Sequence, residues 1–318
     1  MLKELRMSVV ICTRNRAVSL ARALTSLCDL ACLPSTSWEV LVVNNGSDDE
    51  TSEVIKRFDT RLPIREESEE IPGLSHARNR AITSVTGDYI IWTDDDVKVD
   101  RNWLIAYAEA FARWPDAAVF GGKILPVLEE PVPAWFGDNL DTLAGLLAFR
   151  DFGNAPLPLS IADERIPFGA NYAVRTAEQR EFLYNPALGV GPGQSRLGEE
   201  TTVLLSILKT GKSGRWVPGS VVYHQIPRSR LTLDYVSAYY RAVGETDAYL
   251  GPGPAGPMWA GAPRWLWRRV VTRMTRYYSA RLLLQPSAVW LRHFTQVSAD
   301  LGALHFWRSD ARQEANHQ

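Results

Sequence analysis

Three adjacent carboxylates, Asp94, Asp95 and Asp96, follow an apolar run in the stretch IIWTDDDVKVD. Like charges this close repel one another, and each loses hydration if the apolar run is a buried strand. A hard divalent cation would offset both costs, because Mg²⁺ or Mn²⁺ takes carboxylate oxygens and leaves room for diphosphate oxygens. The alternative is a turn, since Asp also favours turns and helix caps ahead of the helix that begins near Arg101.

The elements that must position these carboxylates alternate between short apolar runs and segments of helical spacing. Apolar, β-branched runs predict strands at residues 7–13, 38–45, 62–67 and 87–93. Helical spacing predicts helices at residues 74–85 and 101–114, the second one stopped by Pro115. This alternation predicts an α/β fold with a Rossmann-like, mostly parallel sheet that is flanked by helices.

Polar residues stand where the predicted parallel strands end. In open α/β sheets, ligands bind outside the carboxyl ends of the strands. The strand ends carry Thr13 with Arg14, Asn44 with Asn45, and the acidic run that starts at Asp94. The first two pairs offer hydrogen bonds to a base and a ribose, so the sequence predicts a nucleotide crevice beside a cation.

The second half of the chain changes character. Long Pro-rich connections begin near residue 125, and loops of this length are typical of lids or binding segments. Ordered patterns then return, with predicted helices at 199–211 and 264–284 and a predicted strand at 214–224. We predict a catalytic domain over residues 1–230, divided into a nucleotide half (1–124) and an acceptor half (125–230), and a helical C-terminal extension over residues 231–318.

Charge is distributed unevenly along the chain. Residues 263–318 hold nine Arg and three acidic residues, a net charge of +6, while the preceding residues carry a net charge of −7. The acidic body disfavours nucleic acid as a partner. The basic end fits an acidic partner such as a lipid headgroup, through peripheral membrane contact of the basic helix, and it fits equally a solvated or packed helix.

Targeting and cysteine signals are sparse. The N-terminal MLKELRMSVVICT lacks the apolar core of a signal peptide, and no run of about 18 apolar residues occurs. We therefore expect a cytoplasmic protein, either free or at the inner face of a membrane. The three cysteines, Cys12, Cys28 and Cys32, lack metal-ligand spacing, which indicates reduced thiols.

The chain resembles the family 2 glycosyltransferases, which have the A-type nucleotide-sugar-binding fold, in seven segments between about residues 7 and 225. In order these are SVVICTRNRAVSLARALTSL, EVLVVNNGSDDET, GLSHARNRAI, GDYIIWTDDDV, GANYAVR, GEETTVLL and VVYH. The resemblance implies an inverting, metal-dependent, hexosyltransferase-type enzyme that uses a nucleoside-diphosphate sugar. Its acceptor would be a sugar, a lipid-linked molecule or a small molecule, in surface polysaccharide, glycolipid or secondary-metabolite biosynthesis.

The resemblance also assigns a metal and diphosphate site. Asp94 and Asp96 match the family's acidic metal motif, with Asp96 as the expected direct ligand of Mn²⁺ or Mg²⁺ and Asp95 between them in either role. His224 matches a histidine that completes the metal shell or contacts the diphosphate. Arg78 matches a basic position that offsets diphosphate charge, although it could instead pair with the acids of REESEE at 65–70.

Other matched positions concern the base, the sugar and the acceptor. Thr13 matches a base contact, and Asn44 stands where many members have an Asp that accepts the uracil imide proton, which leaves the nucleotide open. The resemblance places Gly169, Ala170 and Asn171 at the sugar pocket. Trp135, in the Pro-rich loop, could stack on an acceptor sugar or pack within a lid.

The base of the reaction is expected at the start of a helix. In GEETTVLL, Glu200 matches the family's catalytic base, usually an Asp, and Glu199 precedes it on the acceptor side. A carboxylate near the acceptor hydroxyl would take its proton as the oxygen attacks the anomeric carbon. The alternative is that both acids only complement the positive end of the helix.

Two other functions stay open at this point. A nucleotidyltransferase would also join a nucleotide crevice to acidic metal ligands, but the chain lacks the Gly-rich, Lys-containing phosphate loop expected near its first strand. A non-catalytic nucleotide-sugar-binding module would release no nucleoside diphosphate from any common donor. Product analysis therefore separates the three.

Overall fold

A computed structural model describes residues 5–31 and 36–316, which group into two compact units. Cys12 and Cys28 are free thiols, and the predicted thiol Cys32 lies outside the described residues. The first unit consists of Met1–Val127, Leu147–Gln194 and Gly198–Gln225, except for its undescribed residues, and the second consists of Leu128–Leu146, Ser195–Leu197 and Ile226–Gln318 with the same exception.

The described strands are β1 (Leu5–Thr13), β2 (Thr36–Asn44), β3 (Ile64–Ser68), β4 (Tyr89–Asp94), β5 (Val97–Val99), β6 (Ala117–Leu128), β7 (Asn171–Arg175), β8 (Ser213–Ile226), β9 (Met258–Trp259) and β10 (Ala262–Pro263). The described helices are α1 (Ala17–Leu27), α2 (Thr51–Lys56), α3 (Leu74–Ser84), α4 (Trp103–Arg113), α5 (Ala134–Gly137), α6 (Thr176–Glu181), α7 (Glu199–Lys209), α8 (Leu233–Leu250), α9 (Arg264–Leu282) and α10 (Ser287–Asn316). A short 3₁₀ turn occupies Arg228–Arg230.

The large sheet has eight strands in the order β3-β2-β1-β4-β7-β6-β8-β5. Strands β3, β2, β1 and β4 run parallel, as expected for strands joined through helices. Strand β7 then pairs antiparallel with β4 and β6, and β5 pairs antiparallel with β8. The predicted α/β class with flanking helices and a C-terminal helical part is confirmed, and the antiparallel strands make the sheet mixed.

The parallel strands are buried on both faces, which explains their nearly continuous apolar sequence. On one face Val9, Ile11 and Val40 belong to a core shared with α1 and α4. On the other face Val10 and Leu41 belong to a core shared with α3 and α7. These two cores fix where each parallel strand ends.

Several elements differ from the sequence prediction. Strands β5, β6 and β7 and the long helix α10 were not predicted. Helix α10 contacts both α8 and α9, so its apolar residues are spread around the helix instead of forming one stripe. The two units also divide the chain differently from the predicted boundaries after residues 124 and 230, because Leu128–Leu146 groups with the C-terminal helices.

In the second unit, α8 and α10 approach closely at two glycines. A Cβ at Gly244 would lie 1.8 Å from the carbonyl oxygen of Ala299, and one at Gly302 would lie 1.9 Å from that of Arg241. Neither distance is possible between real atoms, so both positions require glycine while the helices keep this separation. Among the residues described, no helix combines the length and the apolar character needed to cross a bilayer.

We predict that Gly302→Ala lowers the free energy of unfolding by about 1–3 kcal/mol, because the clash with backbone must separate the two helices. This loss outweighs the gain in helix propensity, which is about 1 kcal/mol. The matched control is Gly137→Ala in the same unit, whose Cβ would meet only a Val132 methyl at 3.6 Å. Urea denaturation of both variants tests the prediction, and equal midpoints would contradict it.

Candidate active site

The carboxyl ends of three parallel strands meet at one edge of the sheet, as predicted. In the β1–β2 pair Thr13 lies opposite Asn44, and in the β1–β4 pair Cys12 lies opposite Asp94. The register of these strand pairs therefore places the polar residues at the three strand ends at the same level, to within one residue. Segments from α3, α7 and β8 bring further charged side chains to the same edge.

The three carboxylates occupy different environments. Asp94 is 37% exposed at its side chain, whereas those of Asp95 and Asp96 are almost fully buried. The hydroxyl of Thr13 donates to Asp95 at 2.6 Å. Burial raises the pKa of Asp95 to about 7 although Arg16 and the Thr13 hydrogen bond oppose that rise. The cluster is thus strained electrostatically and is partly compensated from within the chain.

Arg16 supplies that compensation, and sequence analysis did not identify it. Its two terminal nitrogens lie 2.9 Å from an oxygen of Asp95 and 2.9 Å from an oxygen of Asp96. The neighbouring Arg14, which was predicted as a site residue, is exposed. Both arginines occur in CTRNR, and nothing in that spacing alone indicates which one turns towards the acids.

His224 reaches the acidic cluster through the pairing of β5 with β8. Val97, directly after the acidic run, lies opposite His224 in that pair. The Nε2 atom of His224 lies 3.5 Å from Oδ1 of Asp96, and Nδ1 lies 3.0 Å from the carbonyl oxygen of Leu147. Since a carbonyl only accepts, Nδ1 carries a hydrogen and Nε2 is aimed at the carboxylate. Burial opposes a charge on His224, but Asp96, the Leu147 carbonyl and Asp94 together raise its pKa.

Arg78 of α3 lies between the strand-end acids and the first turn of α7. Its Nη1 atom is 2.5 Å from a carboxylate oxygen of Glu199 and 4.0 Å from one of Glu200, and Nη2 is 4.0 Å from Asp94. Its side chain is only 4% exposed. In REESEE, Glu67 pairs with Arg65 and Arg80. The observed partners of Arg78 are Glu199, Glu200 and Asp94 instead of these acids.

Aromatic rings hold this guanidinium in place. The Arg78 carbon Cζ lies 5.4 Å from the ring centre of Tyr184 and 6.0 Å from that of Trp92. The hydroxyls of Tyr184 and Tyr172 are 2.5 Å apart. Cation–π contacts of this kind are strongest when desolvated, which is the case here. These rings were not predicted as part of the site, because isolated aromatic residues in a sequence read as core.

Glu200 is the second residue of α7 and lies beside Arg78, with only 14% of its side chain exposed. A Cβ at Gly169 would lie 3.2 Å from Arg78 Nη2 and 3.4 Å from Glu200 Oε1. The backbone of Gly169 favours the charged form of Glu200 and so lowers the pKa of that carboxyl. Burial, followed by repulsion from Glu199, raises the pKa of Glu200 to about 7 against the opposing pull of Arg78. A carboxylate in this state can exchange a proton near neutral pH.

Asn44 and Asn45 organise the loops at the strand ends. The Asn44 amide donates to Glu66 at 2.9 Å, and its oxygen accepts from the backbone of Ser47 at 3.0 Å. Asn45 bonds three backbone groups within residues 69–73. Both side chains are buried, so the observed contacts of the predicted base-binding amides lie within the chain.

The observed contacts of three further predicted residues are with neutral groups. Asn171 is fully buried, accepting from Trp103 and Tyr107 and donating to two backbone carbonyls, so the structure places it in the core. Ala170 is buried and its carbonyl accepts from the Thr93 hydroxyl. Trp135 belongs to the second unit, where it contacts the rings of Phe136 and Trp290.

The site as a whole carries more negative than positive charge. Its carboxylates are Asp94, Asp95, Asp96, Glu199 and Glu200, and its guanidiniums are Arg16 and Arg78. An excess of buried negative charge attracts cations and would repel a bare diphosphate. Within the described part of the chain, no three His, Cys, Asp or Glu side chains are already arranged as a complete metal-binding group.

Comparison with known proteins gives a consistent picture. Residues 8–140 match the profile of the family described as Glycosyl transferase family 2. The glucosyl-dolichyl phosphate glucuronosyltransferase of Haloferax volcanii is 26% identical over 144 residues, which are 44% of this chain and 45% of that protein. The matched region therefore spans less than half the length of this relative.

Solved structures show the same fold. The mannosyltransferase PcManGT from Pyrobaculum calidifontis, in complex with GDP-Man and Mn²⁺, superimposes with a TM-score of 0.62 at 16% identity over 95% of this chain and 88% of its own. S. aureus TarS 1-349, in complex with UDP-GlcNAc, gives a TM-score of 0.55 at 16% identity over 99% and 93% of the two chains. At these identities the likeness concerns the fold alone.

We predict that Arg16→Ala lowers the free energy of unfolding by about 1–3 kcal/mol, because it leaves two buried carboxylates without their charged donor. Arg14→Ala is the matched control, with an expected change below about 0.5 kcal/mol for an exposed side chain. Urea denaturation at a single pH compares the two variants. Equal effects would show that the Arg16 ion pairs contribute nothing to stability.

Proposed function

We propose that this chain belongs to glycosyl transferase family 2, whose profile residues 8–140 match, and that it is a glycosyltransferase. The reaction is transfer of a sugar from a nucleoside-diphosphate sugar to an acceptor hydroxyl, with inversion at the anomeric carbon. The observation that carries the proposal is the position of Arg78. Its guanidinium lies 4.0 Å from both the strand-end Asp94 and the helix-start Glu200, so a base candidate and a diphosphate-side acid belong to one site.

Glu200 is the proposed general base. In the reaction the acceptor hydroxyl loses its proton to the Glu200 carboxylate while its oxygen bonds to the anomeric carbon. The bond from that carbon to the diphosphate oxygen breaks, and the nucleoside diphosphate leaves from the opposite face of the sugar. A pKa near 7 suits this role, because the carboxylate is both available as a base and strong enough to hold the proton.

Arg78 and Glu199 position that base. Glu199 binds Arg78 at 2.5 Å and thereby fixes the first turn of α7. The guanidinium also faces Asp94, so charge on a departing diphosphate would be met by a buried cation that needs little reorganisation. Electrostatic stabilisation of this kind is usually the largest single contribution to catalysis.

The chemistry of the acidic strand end fits Mn²⁺ or Mg²⁺. The Leu147 carbonyl fixes the ring of His224 so that Nε2 faces the carboxylate of Asp96, which is how metal-binding histidines are commonly oriented. Asp96 and His224, with the more exposed Asp94, would hold the ion. When bound, the ion supplies positive charge to the diphosphate and offsets the excess negative charge of the site.

The donor and acceptor are proposed at the level of class. The structurally similar proteins bind GDP-Man and UDP-GlcNAc, so guanosine and uridine diphosphates are the nucleotides to compare first. The similar Haloferax protein is named for a lipid-linked sugar substrate, which supports a sugar or lipid-linked acceptor. Synthesis of a surface polysaccharide or glycolipid would follow from such an acceptor.

We predict that Glu200→Gln keeps nucleotide binding but lowers transfer by about a hundredfold to ten-thousandfold, the contribution expected of a general base. Release of nucleoside diphosphate together with glycosylated acceptor measures the reaction, and pyrophosphate would instead indicate a nucleotidyltransferase. Glu181→Gln, on the exposed end of α6, is the matched control and should leave the rate unchanged. A Glu200→Gln variant with the wild-type rate would exclude Glu200 as the base.

The pH dependence of kcat/KM should follow the same group. Burial raises the pKa of Glu200 to about 7, and the reaction needs the deprotonated form, so activity should fall as the pH drops below about 7. In Glu200→Gln the fall of kcat/KM below pH 7 should disappear, whereas any pH dependence that comes from Asp95 should remain. A fall that is unchanged in the variant would assign it to another group.

Ligand binding gives a test that is independent of turnover. We expect one nucleoside diphosphate to raise the melting temperature only when Mn²⁺ is present, and a chelator to reverse the shift. At a ligand concentration of about 100 times Kd the stabilisation should be about 2.7 kcal/mol. Asp96→Asn should remove the part of the melting-temperature shift that depends on Mn²⁺. A shift that is the same with and without Mn²⁺, and the same in this variant, would contradict the proposed ion site.

A further inference from the structure

The outer face of α9 has the composition of a surface that lies on lipid. The helix contains six Arg and no acidic residue. Positions at helical spacing of three and four residues share its exposed side, namely Arg264, Arg268, Val271, Thr275, Tyr278 and Leu282. Exposed Trp265 flanks this stripe. We call this set the outer face of α9.

The inner face of the same helix is packed and ion-paired within the second unit. Leu266 and Val270 are buried in a small core with Val297 and Leu304 of α10. Arg269 and Arg273 both bind the buried carboxylate of Asp300. These contacts fix the rotation of α9 about its axis, so the outer face stays exposed in the second unit.

The corner after α9 adds an apolar cluster to the basic face. Leu282, Leu283 and Leu284 are 84%, 68% and 91% exposed, and Pro286 follows before α10 begins. Three consecutive exposed leucines are unusual on a soluble surface unless they serve binding. Apolar side chains beside arginines, with an aromatic ring at the border, match the composition of interfacial helices.

We propose that the outer face of α9 and the corner Leu282–Leu284 bind the surface of a membrane that contains anionic lipid. Arginines on the outer face would contact lipid phosphates, while the leucines and Trp265 would enter the boundary between headgroups and acyl chains. Charge complementarity favours this occupant over a symmetric contact between two copies, because a two-fold contact through this face would set arginine against arginine.

The lipid proposal goes beyond sugar transfer and does not rest on it. Binding to vesicles needs neither a donor nor an acceptor, so a failed vesicle experiment leaves the proposed reaction untouched, and a failed transfer assay leaves lipid binding untouched. In this proposal the helix lies on the membrane surface and does not cross the bilayer.

Sedimentation of the full chain with vesicles tests the proposal. We expect at least about tenfold stronger binding to vesicles with about one third phosphatidylglycerol than to phosphatidylcholine alone, because the attraction is to surface charge. Raising the salt concentration to about 0.5 M should weaken that preference, since it shortens the screening length. Equal, weak sedimentation with both vesicles would overturn the proposal.

Two surface variants separate the apolar from the electrostatic part. Replacing the three leucines by serine should reduce vesicle binding at least about tenfold, and its control replaces three exposed apolar residues of the first unit, Val18, Leu183 and Val190, by serine. Replacing Arg264 and Arg268 by glutamine should abolish the preference for anionic vesicles, and its control replaces Arg22 and Arg57.

All substituted side chains are exposed, and the melting temperature of each variant confirms that it folds. Wild-type binding by the leucine variant would overturn the membrane proposal. Light scattering measures the oligomeric state. If the wild-type chain is a dimer that does not bind vesicles, and the leucine variant is a monomer, the outer face of α9 is an interface between copies of the chain and the membrane proposal is wrong.

Discussion

The buried guanidinium of Arg78 is the interaction on which the site depends. It joins groups from α3, β4 and α7 through one ion pair at 2.5 Å and two contacts at 4.0 Å. Helix α7 lies more than a hundred residues after the other two elements in the sequence. Because its charge is desolvated, loss of either side would leave an uncompensated buried ion, which is far more costly than loss of a surface pair. The Tyr184 and Trp92 rings reduce that cost and restrict where the guanidinium can lie.

The acidic strand end shows how a parallel sheet concentrates charge. Register places the end of β4 beside the end of β1, and the antiparallel β5–β8 pair carries His224 to the same point. Arg16 neutralises part of the cluster from within. The remaining negative charge supports the proposed binding of a cation, which would offset the repulsion between these carboxylates and a diphosphate.

Much of this arrangement could be predicted from the sequence. Apolar runs and helical spacing located the four parallel strands, and the rule that ligands bind at strand ends located the acidic edge. Prediction failed where tertiary contacts decide. The three-residue strand β5 has no local pattern, the choice between Arg14 and Arg16 depends on which side chain turns inwards, and Asn171 is held in the core by groups from distant segments. Helix α10 was missed because it packs on two partners.

The second unit combines segments that are far apart in the sequence and are therefore synthesised at different times. Segment Leu128–Leu146 belongs with the C-terminal helices, where Asn139 bonds Ser287 and Trp135 contacts Trp290. On the ribosome these partners emerge about 150 residues later, roughly ten to thirty seconds at common elongation rates. During that interval Trp135 and Phe136 lack their final packing. The nascent chain therefore carries this aromatic segment for a period in which its C-terminal partners have not yet been synthesised.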